Sequence, residues 1–153
     1  MRSNNLKGFT LIELLIVIGL IAVLAGAVII ALNPARQFAQ ARNSERWSHL
    51  SALMSNISTR IAENKGNFNC TSTIPIPATP TNMSSNAGEY NICGCLVSTY
   101  IAALPVDPSA SGAHFNNCND YDTQYNISQN ASTRRITLTA SSSELGASIS
   151  VTQ

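Results

Sequence analysis

Residues 7–25 have the sequence K-G-F-T-L-I-E-L-L-I-V-I-G-L-I-A-V-L-A, and the apolar run that begins at Phe9 continues to Leu32. As an α-helix at about 1.5 Å per residue, this run is roughly 36 Å long, which is enough to cross the roughly 30 Å hydrocarbon core of a bilayer. Thr10 and Glu13 are its strongly polar residues. The run therefore predicts a membrane-spanning helix that carries a carboxylate near its start.

Glu13 needs an explanation, because a carboxylate inside a spanning helix costs about 2.5–3.5 kcal/mol even on lenient insertion scales. A cleaved secretory signal is one alternative, since Arg2 and Lys7 precede the run and Ala25-Gly26-Ala27 imitates a small-residue cleavage site. The run is too long for an ordinary signal sequence. A plain membrane anchor is the second alternative, and neither accounts for Glu13.

A cut between Gly8 and Phe9 would place a new α-amino group four residues before Glu13. A positive terminus pairs well with a carboxylate at low dielectric, and that terminus can belong to the same chain or to a neighbouring copy. A pair between copies would set the axial register of stacked helices, as buried polar residues do in coiled coils. We therefore predict that Glu13 acts in assembly and register.

The stretch Lys7-Gly8-Phe9-Thr10-Leu11-Ile12-Glu13-Leu14 resembles the signature of type IV pilins and pseudopilins. That signature is a short basic leader ending in Gly, followed by Phe-Thr-Leu-Ile-Glu at the start of a hydrophobic helix. The resemblance implies that a prepilin peptidase cuts after Gly8 and methylates the amino group of Phe9. It also implies that Glu13 neutralises the N-terminus of a neighbouring subunit. Beyond this segment the resemblance thins.

The chain after the apolar run is predicted to continue as a helix. Pro34 lacks a backbone donor and crowds the preceding turn, so a kink is expected there. Apolar residues then recur at three- and four-residue steps as far as Asn64–Gly66, which predicts an amphipathic helix with a buried stripe. The stripe consists of Trp47, Leu50, Leu53, Met54, Ile57 and Ile61.

The basic residues that follow the run, Arg36, Arg42 and Arg46, are predicted to form a solvated or inter-subunit face. The formal net charge is only +1. Neither the balance nor the distribution of charge predicts a nucleic-acid site.

The remainder of the chain predicts a small globular head. Residues 67–89 are rich in turn-forming residues and are expected to be a surface loop, and residues 96–104 are expected to form a short helix. Residues 121–128, 135–140 and 147–152 alternate apolar and polar side chains, which predicts about three antiparallel strands packed on the amphipathic helix.

Four segments follow from these patterns and the resemblance. They are a leader at residues 1–8, a membrane or filament-core helix at 9–32, its amphipathic continuation at 33–66, and the head at 67–153. The expected fold class is α+β, a type IV pilin-like long kinked N-terminal helix whose second half packs on a small antiparallel sheet with disulfide-tied loops.

The chain has four cysteines, Cys70, Cys93, Cys95 and Cys118, and all follow the apolar run. Their position in a polar region behind a membrane-type segment favours an oxidising, exported compartment. We predict two structural disulfides that link Cys93 and Cys95 to Cys70 and Cys118, with the partner of each left open. A metal or redox site is the alternative. One residue separates Cys93 from Cys95, whereas redox motifs more often have two residues between their cysteines. No histidine lies nearby to complete a zinc site.

Catalytic chemistry is not predicted. No glycine-rich phosphate loop is present, and His49 and His114 lack a patterned acidic or cysteine partner. Asp107, Asp120 and Asp122 lie near three asparagines and offer oxygen ligands of the kind that calcium uses. The alternative is a solvated turn-rich loop, which is favoured because the spacing matches no known calcium loop. No other cofactor is predicted.

The resemblance implies a structural function. The chain is expected to be a subunit of a type IV pilus that forms a helical homo-oligomer, after processing by prepilin peptidase and extraction by an assembly platform with its ATPase. It is expected in the inner membrane as a precursor and then in a surface filament. A periplasmic pseudopilin of a type II secretion system, a minor pilin, and a surface binding module carried on a pilin stem are the alternatives.

Overall fold

The computed structural model describes residues 8–68 and 75–153, except for the side chains of residues 30 and 31. The chain divides into two compact units, residues 1–38 and residues 39–153. Helix α1 (Leu11–Leu32) and the start of helix α2 (Pro34–Glu63) belong to the first unit. The rest of α2 and the sheet form the second unit. The name head is used below for this whole unit, residues 39–153, which includes most of α2.

Helix α2 ends in a left-handed turn. Lys65 and Gly66 have φ angles of 56° and 86°, and the Gly66 N–H donates to the carbonyl of Ile61 at 2.8 Å. This is the long-range bond of a Schellman motif, which satisfies a carbonyl that the last helical turn would leave without a partner. Glycine adopts a left-handed φ without a steric penalty, so Gly66 suits the end of this motif.

The head contains an antiparallel sheet, which confirms the predicted α+β fold class. In the described residues the strands are β1 (Thr81–Ser84), β2 (His114–Asn117), β3 (Asp120–Gln129), β4 (Ile136–Ala140) and β5 (Ile149–Thr152). The strand order is β1-β3-β4-β5, and β2 also pairs with β3. Every pairing between these strands is antiparallel. The long strand β3 is therefore the centre of the sheet.

Two strands lie where the sequence pattern predicted none. Strand β1 lies inside residues 67–89, which were expected to be a surface loop, and its Met83 and Ser84 are completely buried. Strand β2 precedes β3 and pairs with its first residues. Neither strand alternates buried and exposed side chains over its four residues, so the period-two pattern that predicts a strand is missing there.

The helix expected at residues 96–104 is wrong. A short helix α3 (Cys93–Leu96) comes earlier, and residues 97–104 are not helical. Ser98 has a left-handed φ of 72° and donates its N–H to the carbonyl of Ile101 at 2.9 Å. The β-branched side chains of Val97, Thr99 and Ile101 also disfavour a helix, because they lose rotamer freedom against the preceding turn.

Helix α2 and the sheet contribute to one hydrophobic core. The helix supplies Leu50, Leu53, Met54 and Ile57, and the core residues of the sheet include Tyr125, Ile127, Ile136, Leu138 and Ile149. Trp47 was expected in the buried stripe, but its side chain is 45% exposed. The buried positions of α2 before Leu50 are Ala39, Asn43 and Arg46. Trp47 is one residue past Arg46, so it is rotated about 100° away from the core.

Arg46 is the largest departure from the predicted solvated face. Its side chain is fully buried, as is that of Asp107. Arg46 donates from Nε to Asp107 Oδ2 at 2.7 Å and from Nη2 to Oδ1 at 2.9 Å. Further bonds join its Nη2 to Ser109 and its Nη1 to Asn43 and Glu144. The guanidinium therefore ties α2 to the 104–110 segment and to the turn between β4 and β5.

A buried guanidinium is tolerated because its donors are matched. The Asp107 Oδ1 atom also accepts the backbone N–H groups of Ser109 and Ala110 at 2.9 and 2.8 Å. Burial alone raises the pKa of Asp107, but the bonds from Arg46 and from these two backbone groups outweigh it and lower the pKa. Both partners therefore stay ionised, and the cost of desolvating them is offset by charge-assisted hydrogen bonds.

Replacement of the buried guanidinium tests its importance. We expect Arg46→Leu to lower the free energy of unfolding by about 3–5 kcal/mol, because it leaves the Asp107 carboxylate buried without its partner. Urea unfolding of the detergent-solubilised protein, followed by near-ultraviolet circular dichroism, measures this loss.

Arg36→Leu is the matched control, since Arg36 lies on the same helix and is exposed. We expect it to change the stability by less than about 0.5 kcal/mol. Equal effects of the two variants would contradict the assigned role of Arg46.

Candidate functional site

The start of α1 is a capping box. Thr10 is the N-cap, with φ −81° and ψ 152°, and the Glu13 N–H donates to Thr10 Oγ1 at 3.3 Å. In return, the backbone N–H and the hydroxyl of Thr10 both donate to Glu13 Oε2 at 2.8 Å. Two donors that the first turn would otherwise leave without partners are thus satisfied.

Glu13 therefore has a local partner that the sequence analysis did not identify. The pattern Thr10-x-x-Glu13 before an apolar run is the sequence signature of a capping box, and it was available in the sequence. In the described residues both of the bonds to the carboxylate reach Oε2. The carboxylate can hold the helix start through Oε2 and still present Oε1 to another donor.

Gly8 and Phe9 lie outside the helix, immediately before the N-cap. Both are exposed, and the side chain of Phe9 is 85% exposed. The Phe9 nitrogen is one residue from the Thr10 N–H that reaches Glu13. An amino group created on Phe9 would therefore form beside the carboxylate.

Helix α1 is apolar on all its faces. The segment Leu11–Ile29 has a mean hydropathy of 2.9, none of it is buried within the described chain, and it is long enough to cross a membrane. A helix that is apolar all round is stable only where apolar groups surround it, in lipid or among other helices. Its exposed large side chains include Leu11, Ile18, Val23 and Ile29.

Pro34 is the first residue of α2 and follows the break at Asn33, which has φ 41°. The Asn33 side chain accepts the N–H of Arg36 at 3.3 Å, and the side-chain amide of Gln37 donates to the carbonyl of Leu32 at 3.0 Å. Proline suits the first helical position because its missing N–H would have no helical partner there. Asn33 and Gln37 are functional candidates that the sequence analysis missed, and the Asn-Pro pair was the signal.

The cysteines form structural cross-links where they are described. Cys93 is bonded to Cys118, with Cα atoms 5.3 Å apart, and Cys95 is also in a disulfide. Cys70 lies outside the described residues. The expected linkage of Cys93 and Cys95 to Cys70 and Cys118 leaves Cys95 for Cys70, and that pair stays a prediction.

The three carboxylates considered for calcium have separate environments. Asp107 is held by Arg46. Asp120 is exposed and lies 3.0 Å from His114 Nε2, and Asn116 donates to it at 2.7 Å. Asp122 accepts bonds from Asn82 and from Gln124. Across residues 8–68 and 75–153, no group of three or more acidic, histidine or cysteine side chains is placed to hold a metal.

Glu144, in the turn between β4 and β5, forms a further ion pair in the head, with Arg42. Arg42 donates from Nη2 to Oε1 at 2.6 Å and from Nε to Oε2 at 2.7 Å. These bonds from Arg42, with a smaller contribution from Arg46, lower the pKa of Glu144 to about 2. The turn is therefore fixed to α2 through a permanently charged pair at neutral pH.

Comparison with known proteins identifies the N-terminal segment. Residues 3–29 match the family model described as the prokaryotic N-terminal methylation motif, which is the signature of type IV pilins and pseudopilins. No curated protein and no solved structure matches the chain. The motif, the long helix, the antiparallel sheet and the Cys93–Cys118 bridge fit the type IV pilin-like fold.

The signature implies processing by a prepilin peptidase and pilus assembly. The type IV pilin family is structural. The apolar helix suits a membrane-anchored precursor that becomes a filament subunit.

The Glu144 ion pair predicts a pH dependence. The pKa of Glu144 in the folded state, about 2, lies below the ordinary value of 4.5. The unfolded chain therefore binds more protons between these values, and stability falls as the pH is lowered from about 4.5 to about 2. We expect Glu144→Gln to be less stable than the wild type at pH 7 and to show a flatter dependence in this window.

Urea unfolding midpoints measured from pH 7 to pH 2 test this expectation. Parallel curves for the wild type and Glu144→Gln would contradict it.

Proposed function

We propose that this chain, which carries the type IV pilin and pseudopilin signature, is a structural subunit of a type IV pilus. It polymerises through α1 into a helical surface filament that serves adhesion, motility or DNA uptake. One observation carries the proposal. Helix α1 is apolar on every face and has a single carboxylate, Glu13, held at its first turn.

The exposed apolar face determines where the helix can reside. At about 0.8 kcal/mol per methylene, exposing the side chains of α1 to water is prohibitive. The helix therefore moves between two apolar surroundings, first the lipid of the inner membrane and then a bundle of equivalent helices. Transfer between the two leaves the hydrophobic contribution nearly unchanged, so specific polar contacts decide the alignment of the bundle.

Glu13 is the polar contact that we assign to this alignment. Cleavage after Gly8 gives Phe9 a positive primary amino group, and methylation turns it into a secondary amine that keeps the charge. The Glu13 carboxylate of an adjoining subunit receives this group through Oε1, while Oε2 remains in the capping box. An unpaired carboxylate inside the bundle would be costly, so the pair specifies one register.

The partners follow from the same segment. A prepilin peptidase cleaves the bond between Gly8 and Phe9, which is exposed and outside the helix. An assembly platform and its ATPase then extract the subunit from the inner membrane into the filament. Within this proposal the head is packing surface and carries no catalytic site.

The proposed function uses no cofactor. Asp107, Asp120 and Asp122 each accept hydrogen bonds from protein groups, which leaves each carboxylate with a structural role. Calcium binding at these residues stays a prediction.

The first experiment is mass spectrometry of filaments sheared from intact cells. We expect an abundant N-terminal peptide that begins with methylated Phe9. A methylated peptide confined to the membrane fraction would favour a pseudopilin or a minor pilin instead. An intact Met1 terminus in the mature protein would overturn the proposed processing.

Substitution of the carboxylate separates its two roles. Glutamine is accepted in a capping box, so Glu13→Gln retains the helix start but removes the charge. We expect the variant to remain in the membrane and its filament yield to fall at least about tenfold, since 1.4 kcal/mol per contact is a factor of ten.

Glu45→Gln is the control, because Glu45 is an exposed carboxylate on α2 and should leave the yield unchanged. Wild-type filament yield from Glu13→Gln would reduce Glu13 to a helix cap and would refute the charge-pair mechanism.

A further inference from the structure

Leu145 is an exposed apolar side chain at the tip of the turn between β4 and β5. It is 55% exposed. Its φ of 59° and that of Gly146, 70°, are both left-handed, and the Ala147 N–H closes the turn on the carbonyl of Glu144 at 3.1 Å. Such turns favour Asn, Asp or Gly, and a leucine there is strained. Strain of this kind persists only where the surroundings fix the backbone.

Arg42, Asn43 and Arg46 of α2 provide that fixation. Asn43 donates to the Glu144 carbonyl at 2.8 Å and accepts its N–H at 3.0 Å. Arg42 donates two hydrogen bonds to the Glu144 carboxylate. Leu145 is therefore presented outward on a turn that five hydrogen bonds hold to α2, including the bond from Arg46 to Glu144.

The head also contains a cavity of about 320 Å³. That volume is at the lower end of the range for binding clefts, about 300–1,000 Å³. Its wall combines apolar side chains with a polar rim. The lining residues include Met54, Ile61, Ala62, Arg134, Ile136 and Gln153.

The turn and the cavity lie at opposite ends of the head. Strand β4 begins at Ile136, which lines the cavity, and ends at Ala140, just before the turn. On α2, Asn43 holds the turn and Ala62 lines the cavity. These two residues are about 28 Å apart along the helix at about 1.5 Å per residue. Leu145 therefore cannot reach the cavity of its own chain.

We infer that Leu145 of one copy inserts into this cavity of the next copy. An apolar protrusion and an apolar cavity at opposite ends of one molecule make a head-to-tail contact, which repeats without closing and generates a filament. Arg134 at the rim offers donors to the carbonyl oxygens of the entering turn. The inference rests on the proposed function, because the occupant is a second copy in the filament.

Leu145→Asn is the first test. Asparagine tolerates a left-handed backbone, so the variant should keep or raise the melting temperature of the detergent-solubilised protein. We expect the yield of sheared filaments to fall about tenfold. Ala62→Leu fills the cavity from an exposed helical position and should give the same loss without unfolding the head.

Cross-linking identifies the contact itself. Copies carrying Leu145→Cys and copies carrying Ala62→Cys are expressed together, and we expect a disulfide-linked dimer in oxidised filaments. Neither variant alone should give it. Leu145→Cys expressed with Ser111→Cys is the matched control, since Ser111 is exposed and does not line the cavity.

The outcomes separate this inference from the proposed function. Normal filaments from Leu145→Asn would overturn the inference and leave the proposed function intact. Loss of filaments without the mixed dimer would place the turn against a different surface and would also overturn it. A wild-type protein that is never found in filaments would refute the proposed function itself.

Discussion

The constraint that governs this molecule is that α1 must always be surrounded by apolar groups. The segment Leu11–Ile29 is apolar on every face, and none of it is buried within the described chain. A membrane meets this requirement, and so does a bundle of like helices. The head does not need apolar surroundings, because it has a hydrophobic core of its own. One chain thus combines a segment that needs neighbours with a unit that does not.

In the head, a helix of mixed polarity packs against a small sheet. Leu50, Leu53, Met54 and Ile57 supply the apolar contact. The half of α2 that precedes them has little apolar content, and there Arg46 and Asn43 replace packing with hydrogen bonds to Asp107 and Glu144. Apolar contact and ion pairs therefore act on successive turns of one helix.

The sequence predicted those parts of the fold that depend on local patterns. The apolar run, the break near Pro34 and the strands β3, β4 and β5 follow from periodicity and from proline chemistry. The capping box is also local, since Thr10 and Glu13 have the spacing of its sequence signature. The burial of Arg46 is not local. Its partner, Asp107, is 61 residues away in the chain. No pattern around Arg46 indicates which distant carboxylate will form a buried ion pair with it.

The break between the two helices carries its own hydrogen bonds. Asn33 receives the N–H of Arg36, and Gln37 reaches back to the carbonyl of Leu32. A helix interruption ordinarily depends on water for its freed backbone groups, which confines it to wet surroundings. Here side chains three and five residues away supply part of that solvation. The interruption therefore depends less on water for its hydrogen bonds, so it can persist both at the edge of a membrane and in a dry assembly.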